Sequence, residues 1–360
     1  MPVVGRLGPA RGDVGPHQER RPTTISPGFA RFISAVAASR GGNENRREPL
    51  SPAEARSRAR RAMTTRQEPA VNLIDRRGCE RERRFVELPD GLSLAYVEEG
   101  EGRPIVLLHG VLTTLEDMTI PLGSLLASGR RVIAFDRPGF GRSTTRRFAD
   151  AGLWRQAESL HAALDLLGLG KPVIVGHSFG ASVALAMAMS RPGRLGGVVA
   201  LAPLVQPEAR LEHLLFSPRG APFAPEGLGL LAGATSDRVL FPLLWRAMYL
   251  PQSIPKAVLA DFPFTLAGRP EAAVRVAEDS AAAMPDLIRL NALAPFCHVP
   301  VRIVGGDRDL VVLNGVHGRW LAALLPQGEF IDLPGLGHMI HHYAARRILE
   351  VIDELIADAG

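Results

Sequence analysis

The sequence predicts an α/β fold: a mostly parallel sheet with helices on both faces. Two observations carry that prediction. The runs IVLLH (residues 105–109), VIVGH (173–177) and VVALA (198–202) are apolar without alternation, as central strands covered on both faces must be. Beyond residue 100 such runs alternate with helical patterns, the order that β-α-β crossovers produce. With 360 residues, 46% hydrophobic and 22% charged, the chain can form one domain of about 250–280 residues plus insertions.

Strand patterns fall at residues 84–88, 92–97, 104–109, 131–136, 172–177, 197–201, 301–304 and 329–333. The first two read as an antiparallel hairpin around Pro89-Asp90-Gly91, a good turn sequence. Helical patterns follow at 116–128, 151–168, 179–190, 314–325 and 339–357. Between residues 204 and 293 the alternation stops. Ten prolines punctuate apolar helical fragments there (LEHLLF, GLGLLAG, VLFPLLWRAMYL, VRVAED). The strands on either side belong to one sheet, so this segment must leave and re-enter it, as an insertion does. Phe216, Phe223, Phe241, Trp245, Met248 and Tyr249 are candidates to line an apolar pocket, although most such side chains pack their own segment.

Residues 1–80 are rich in Arg, Pro, Gly, Ser and Glu and lack sustained apolar periodicity, the composition of a disordered, Arg-rich extension. Residues 1–84 hold 18 Arg, no Lys and nine acids, a balance of +9 against +5 for the whole chain, which leaves the remainder mildly acidic. The basic character therefore belongs to the extension and gives no reason to expect the rest to bind nucleic acid. Three readings of the extension stand side by side: a nonfunctional leader to a start at Met63, a basic tail for an acidic partner or membrane surface, and a targeting peptide. No stretch reads as a transmembrane helix. Two cysteines, Cys79 and Cys297, offer no disulfide framework or cysteine-based zinc site, which suits a cytoplasmic protein. Cys297 beside His298 reads as a buried residue rather than a thiol nucleophile, because neighbours in a strand point to opposite faces.

The chemistry-bearing signal is Gly176-His177-Ser178-Phe179-Gly180, set between an apolar strand and the helical run ASVALAMAMSR. A serine on a tight strand-to-helix turn has its hydroxyl lifted clear of the sheet, and the flanking glycines relieve the crowding. The pentapeptide alone is a weak signal; its setting carries the argument. Three further features fit the same chemistry: an HG pair closing a strand (PIVLLHG, 104–110), an acid after a strand (VRIVGGDRD, 301–309) and a histidine in a glycine loop (GLGH, 335–338).

The segments IVLLHG, VIAFDRPGFGRS, VIVGHSFGASVALAMA, VRIVGGDRDLVV and LPGLGHM, in this order, resemble the α/β-hydrolase superfamily over roughly residues 85–357. The resemblance implies an α/β-hydrolase fold: an eight-stranded, mostly parallel sheet, a core of residues 81–204 and 294–360, and a helical cap at 205–293. It implies Ser178 as nucleophile, His338 as base and Asp309 as the orienting acid, in the chain order of that superfamily. Asp307 is the rival acid in the same loop, and the spacing of Gly306, Asp309, Val311 and Val312 favours Asp309. His341 and His342 are rivals for His338 but fall at the start of the last helix. His109 and His177 end core strands and read as structural. The amides of Val111 and Phe179 would form the oxyanion hole, while DRPGFGRS (136–143) reads as scaffold.

The implied activity is hydrolysis of an ester or related acyl compound, a small apolar substrate, through an acyl-serine intermediate. Serine in the elbow separates the chain from the haloalkane dehalogenase and epoxide hydrolase branches, which use aspartate there. Carbon–carbon bond hydrolases and cofactor-free perhydrolases or haloperoxidases share the motifs and remain alternatives. So does a non-catalytic ligand-binding protein on the same fold. No cofactor or metal is implied, because no His and carboxylate spacing beyond the triad has a ligand pattern and no Gly-rich run fits a dinucleotide fingerprint. Oligomeric state is not readable.

Overall fold

The computed structural model describes Leu73 and residues 76–208 and 236–358. The expectations for residues 1–72, for Phe216 and for Phe223 lie outside these residues. All eight expected strands form: β1 (Arg84–Glu87), β2 (Ser93–Glu99), β3 (Arg103–Leu108), β4 (Arg130–Phe135), β5 (Val173–His177), β6 (Gly197–Leu201), β7 (Val301–Gly306) and β8 (Gly328–Leu333). They make one sheet in the order β1-β2-β4-β3-β5-β6-β7-β8. β1 and β2 pair antiparallel, as does β2 with β4, and the other pairs are parallel. Gly91, at φ +84°, closes the β1–β2 turn, with its amide donating to Leu88 O.

The period of two along each strand splits the apolar side chains into two layers. Val106, Leu108, Ile174, Val198 and Ala200 face α2 (Leu153–Leu166) and α3 (Phe179–Ser190). Their alternates Ile105, Leu107, Val173, Val175, Val199 and Leu201 face α1 (Leu115–Ala127) and α9 (Ala345–Asp358). Both faces are thus dry, which is why these strands read as unbroken apolar runs. α3 is buried from Phe179 to Ala188, and its alanines let it pack close to the sheet.

Between β6 and β7 the described residues are helical: α4 (Asp237–Tyr249), α5 (Lys256–Asp261), α6 (Phe264–Ala267) and the long α7 (Pro270–Leu293). Phe241, Trp245, Met248 and Tyr249 share one apolar cluster with Leu112, Phe140 and Met339, which sit on the loops after β3, β4 and β8. Trp245 Nε1 donates to Leu112 O at 2.9 Å. The start of α7 belongs to this cluster through Ala272 and Val276, whereas Leu287 and Leu290 near its end reach the core of α2 and α3. Another helix, α8 (Asn314–Leu324), packs beside β7 and β8.

Residues just before β1 run along this insert. Leu73 is buried in its cluster, Arg76 Nη1 donates to Leu259 O (2.9 Å), and the Cys79 amide donates to Asp261 O (2.8 Å). Composition places these residues in the extension; apolar contact and backbone hydrogen bonds hold them against α5. Arg83 then enters the interior, donating from Nε to Asp136 (2.7 Å) and from Nη2 to Glu116 (2.9 Å). Cys297 is buried and His298 exposed on the loop that leads into β7.

Candidate active site

Ser178 sits between β5 and α3 at φ 54° and ψ −119°, a sparsely populated conformation for a residue with a side chain. The surroundings enforce it. The Ser178 amide donates to Leu201 O (2.8 Å), and its carbonyl accepts from the Ala181 and Ser182 amides as the helix begins. A Cβ at Gly176 would strike Gly180 O, and one at Gly180 would strike the carbonyls of Leu108 and His109, so both elbow glycines are needed for close approach. Among the described residues Ser178 Oγ makes no hydrogen bond.

Asp309, on the loop after β7, accepts four donors. Oδ1 takes the Val311 and Val312 amides (2.8 and 2.9 Å), and Oδ2 takes Asn314 Nδ2 (2.6 Å) and His338 Nδ1 (2.8 Å). A carboxylate only accepts, so Nδ1 carries the proton and Nε2 presents a lone pair, the tautomer a general base needs. The His338 ring lies 4.7 Å, centroid to centroid, from that of His177, the residue before Ser178. Asp307 touches the same loop differently: it accepts the Gly335 amide (2.6 Å) and does not reach the imidazole. Gln252, from the insert, takes the Gly337 amide (3.0 Å) and donates to Gly335 O (2.7 Å). The loop carrying His338 is therefore clamped from the sheet side by Asp307 and from the insert by Gln252.

The HG loop packs onto the elbow. A Cβ on Gly110 would lie 3.3 Å from Ser178 Cβ and 3.1 Å from His177 Nδ1. Among the described residues the amides of Val111 and Phe179 donate to no acceptor, and that of Phe179 opens α3, where helical amides have no internal partner. The direction of the Val111 amide follows from Arg137. This buried guanidinium donates to His109 O (2.9 Å), Gly110 O (3.0 Å) and Gln156 Oε1 (2.8 Å), and pairs with Asp279 on α7 (3.3 Å). Its Cζ lies 4.4 Å from the Phe140 ring centre and 4.8 Å from that of Phe179. In a trans peptide the N–H points opposite to the C=O, so holding Gly110 O on Arg137 aims Val111 N–H the other way. Reading residues 136–143 as scaffold missed this clamp, because its partners lie 19 to 142 positions away in the chain.

His109 is held neutral. The Arg137 amide donates to Nε2 (3.0 Å), which leaves Nδ1–H to donate to Gly110 O (2.8 Å). Burial first, and the Arg137 charge second, push its pKa down to about 3. The folded value lies below the unfolded one of about 6.5, so this contribution is intact above pH 6.5 and is lost as pH falls below it. Unfolding in urea at pH 4.5 should show roughly 2–3 kcal/mol less stability than at pH 7.5, with a smaller loss in His109→Gln. An equal loss in both proteins would contradict this origin.

His341 and His342 lie in a short turn, Ile340–His342, ahead of α9 and do not join Asp309. They meet Asp117 on α1 instead, with Nε2 to Oδ1 distances of 3.2 and 2.9 Å. His177 faces the other oxygen of Asp117. Nothing in the spacing of these residues announces the cluster.

A doubly wound sheet with a strained serine after a central strand, and a buried histidine–aspartate pair on the loops after the last two strands, defines a class of α/β scaffold. The chain belongs to the alpha/beta hydrolase fold family, whose profile matches residues 103–345. It is similar to 2-hydroxy-6-oxononadienedioate/2-hydroxy-6-oxononatrienedioate hydrolase 2 of Pseudomonas putida, 35% identical over 123 residues, which cover 32% of this chain and 43% of that protein. It is also similar to haloalkane dehalogenase 2 of Mycobacterium tuberculosis, 28% identical across 72% of this chain and 90% of the relative. Relatives with higher identity, such as the first, are thus spanned over less than two thirds of their length. Among solved structures, a thermophilic esterase from Thermogutta terrifontis superposes with a TM-score of 0.59 at 22% identity, covering 78% of this chain and 99% of that one. That likeness is one of fold. Among the described residues no helix is long and apolar enough to cross a membrane.

Proposed function

We propose that this protein is a serine hydrolase that cleaves an ester or related acyl substrate through an acyl-serine intermediate. The observation that carries the proposal is the buried Asp309–His338 pair, whose imidazole lies against the ring of His177, together with a strained Ser178 next in the chain and two amides that lack acceptors. His338 Nε2 takes the Ser178 proton as Oγ attacks the substrate carbonyl, and Asp309 stabilises the imidazolium that results. Negative charge on the carbonyl oxygen is met by the amides of Val111 and Phe179. His338 then returns its proton to the leaving alcohol, and water, activated by the same imidazole, releases the acid and restores Ser178.

Helices α4–α7 act as a cap over the strand ends. Phe241, Trp245, Met248 and Tyr249 are buried against Leu112 and Met339, so the insert meets the strand ends with apolar side chains, surroundings that suit an apolar acyl substrate. Serine at position 178 speaks for acyl transfer rather than the alkyl displacement that an aspartate in the elbow performs. Carbon–carbon bond hydrolysis would use the same groups and is the second reading. The unpaired cysteines fit a cytoplasmic setting.

A fluorophosphonate probe should attach one phosphonyl group to Ser178, and Ser178→Ala should abolish attachment. A panel of p-nitrophenyl esters from acetyl to lauroyl, run beside a vinylogous 1,5-diketone, separates the two hydrolytic readings. Labelling that persists in Ser178→Ala, or an absence of turnover on every member of the panel, would end the proposal.

A further inference from the structure

We propose that Asp117, His177 and His341 form a buried binding site for a divalent transition-metal ion of the zinc class, next to the catalytic segments but apart from them. All three side chains are at most 1% exposed, and one donor atom from each lies within 4.8 Å of the others. His177 ends β5, Asp117 lies in the first turn of α1, and His341 follows the His338 loop.

The hydrogen-bond inventory points to a cation. His177 Nε2 lies 3.1 Å from His338 O, and a carbonyl can only accept, so Nε2 carries the proton. Nδ1 of the neutral ring is then a bare lone pair. It faces Asp117 Oδ2 at 3.8 Å, another acceptor, and neither atom has a hydrogen-bond partner among the described residues. Both ring nitrogens of His341 are likewise unpartnered: Nε2 lies 3.2 Å from Asp117 Oδ1, near enough for an ion pair yet outside hydrogen-bond geometry. The three atoms with no such neighbour, His177 Nδ1, Asp117 Oδ2 and His341 Nδ1, the first two facing one another as acceptors, would cost roughly 1–3 kcal/mol each. A proton on His177 is a poor remedy. The ring is fully buried, with those of His341 and His338 at 4.4 and 4.7 Å, so a positive charge there would meet no water. A divalent ion satisfies the facing lone pairs at once.

The donor chemistry selects the class of ion. Two imidazoles and one carboxylate suit zinc and its first-row neighbours, whereas calcium and magnesium prefer oxygen alone. The outer groups have the form that metal sites use: the His338 carbonyl orients His177 through its distal N–H, and His342 Nε2 holds Asp117 Oδ1 at 2.9 Å, with Tyr249 Oη 3.2 Å from the same nitrogen. The donors, up to 4.8 Å apart, would close by ring rotation onto an ion at the roughly 2.0–2.2 Å that zinc requires. Such an ion would tie β5, α1 and the His338 loop together just behind Ser178.

The test uses the full chain without a histidine tag. After metal stripping with dipicolinate and dialysis against Zn2+, elemental analysis should find about one zinc per chain. Titration with Co2+ should develop visible d–d bands that saturate at one equivalent, and Zn2+ should raise the Tm of the stripped protein. Asp117→Asn and His341→Gln should each weaken Zn2+ binding at least about 100-fold. The Co2+ titration of wild-type protein decides the matter even where a variant fails to fold. No Co2+ bands and no Zn2+-dependent Tm change would overturn the site in favour of a shared proton or a bridging water. Stoichiometric zinc retained by both variants would place the ion elsewhere and overturn it equally. Labelling of Ser178 by the fluorophosphonate does not depend on the outcome, so the two proposals fail separately.

Discussion

Ser178→Ala is expected to lower kcat for the best ester by about 10⁴–10⁶-fold with little change in KM, leaving only what the oxyanion donors and binding supply. Two features of the structure make this a clean experiment. Ser178 Oγ has no hydrogen-bond partner among the described residues, so its loss strands no other buried group. The backbone at φ 54° is held by the Leu201 carbonyl and the start of α3, neither of which involves the hydroxyl. Stability should therefore stay within about 0.5 kcal/mol of the parent. Because nucleophile and base act as a unit, the Ser178→Ala/His338→Gln double variant should be no slower than either single one. Retention of more than about 1% of kcat, or losses that multiply, would mean that Ser178 and His338 do not share one step.

Arg137→Met should cost about 3–5 kcal/mol of stability, the range for removing one partner from a buried charge network. The guanidinium is completely buried, and burial lowers its pKa only to about 10, so it remains charged at neutral pH. Its removal unpairs the carbonyl of His109, leaves Gly110 O with only His109 Nδ1 and Thr113 Oγ1, and leaves Asp279 with Arg275 as its remaining cation. It also releases the peptide that aims Val111 N–H, so kcat should fall by roughly 10–1,000-fold, up to the cost of one lost oxyanion donor. Arg137→Lys should recover little, since a single ammonium cannot span two carbonyls, an amide and a carboxylate. Urea unfolding and ester kinetics on both variants measure the two effects. A destabilisation below about 1 kcal/mol would show that the clamp is dispensable.

The central strands β3, β5 and β6 were legible because a sheet buried on both faces demands long apolar runs, and β1 and β2 because they flank the turn Pro89-Asp90-Gly91. Other features had no such signature. Asp307 and Asp309 stand two residues apart after the same strand, and only the path of the loop gives one the imidazole and the other the Gly335 amide. Asn314 and Gln252, which brace the acid and the histidine loop, are polar residues without pattern. His341 and His342 read as the start of a helix, yet they form a separate turn that carries them to Asp117, more than 220 positions away.

What the sequence determined by itself is whatever depends on neighbours along the chain: strand and helix periods, the glycines that let an elbow bend, and the order of serine, acid and histidine. What only the tertiary structure decided is which distant polar groups share a buried space. The Arg137 clamp and the Asp117 cluster exist because α1, α7 and the final loop converge behind the strand ends. Partners are chosen there by low dielectric and by the cost of leaving a charge or lone pair unmatched, and neither quantity is written in local spacing.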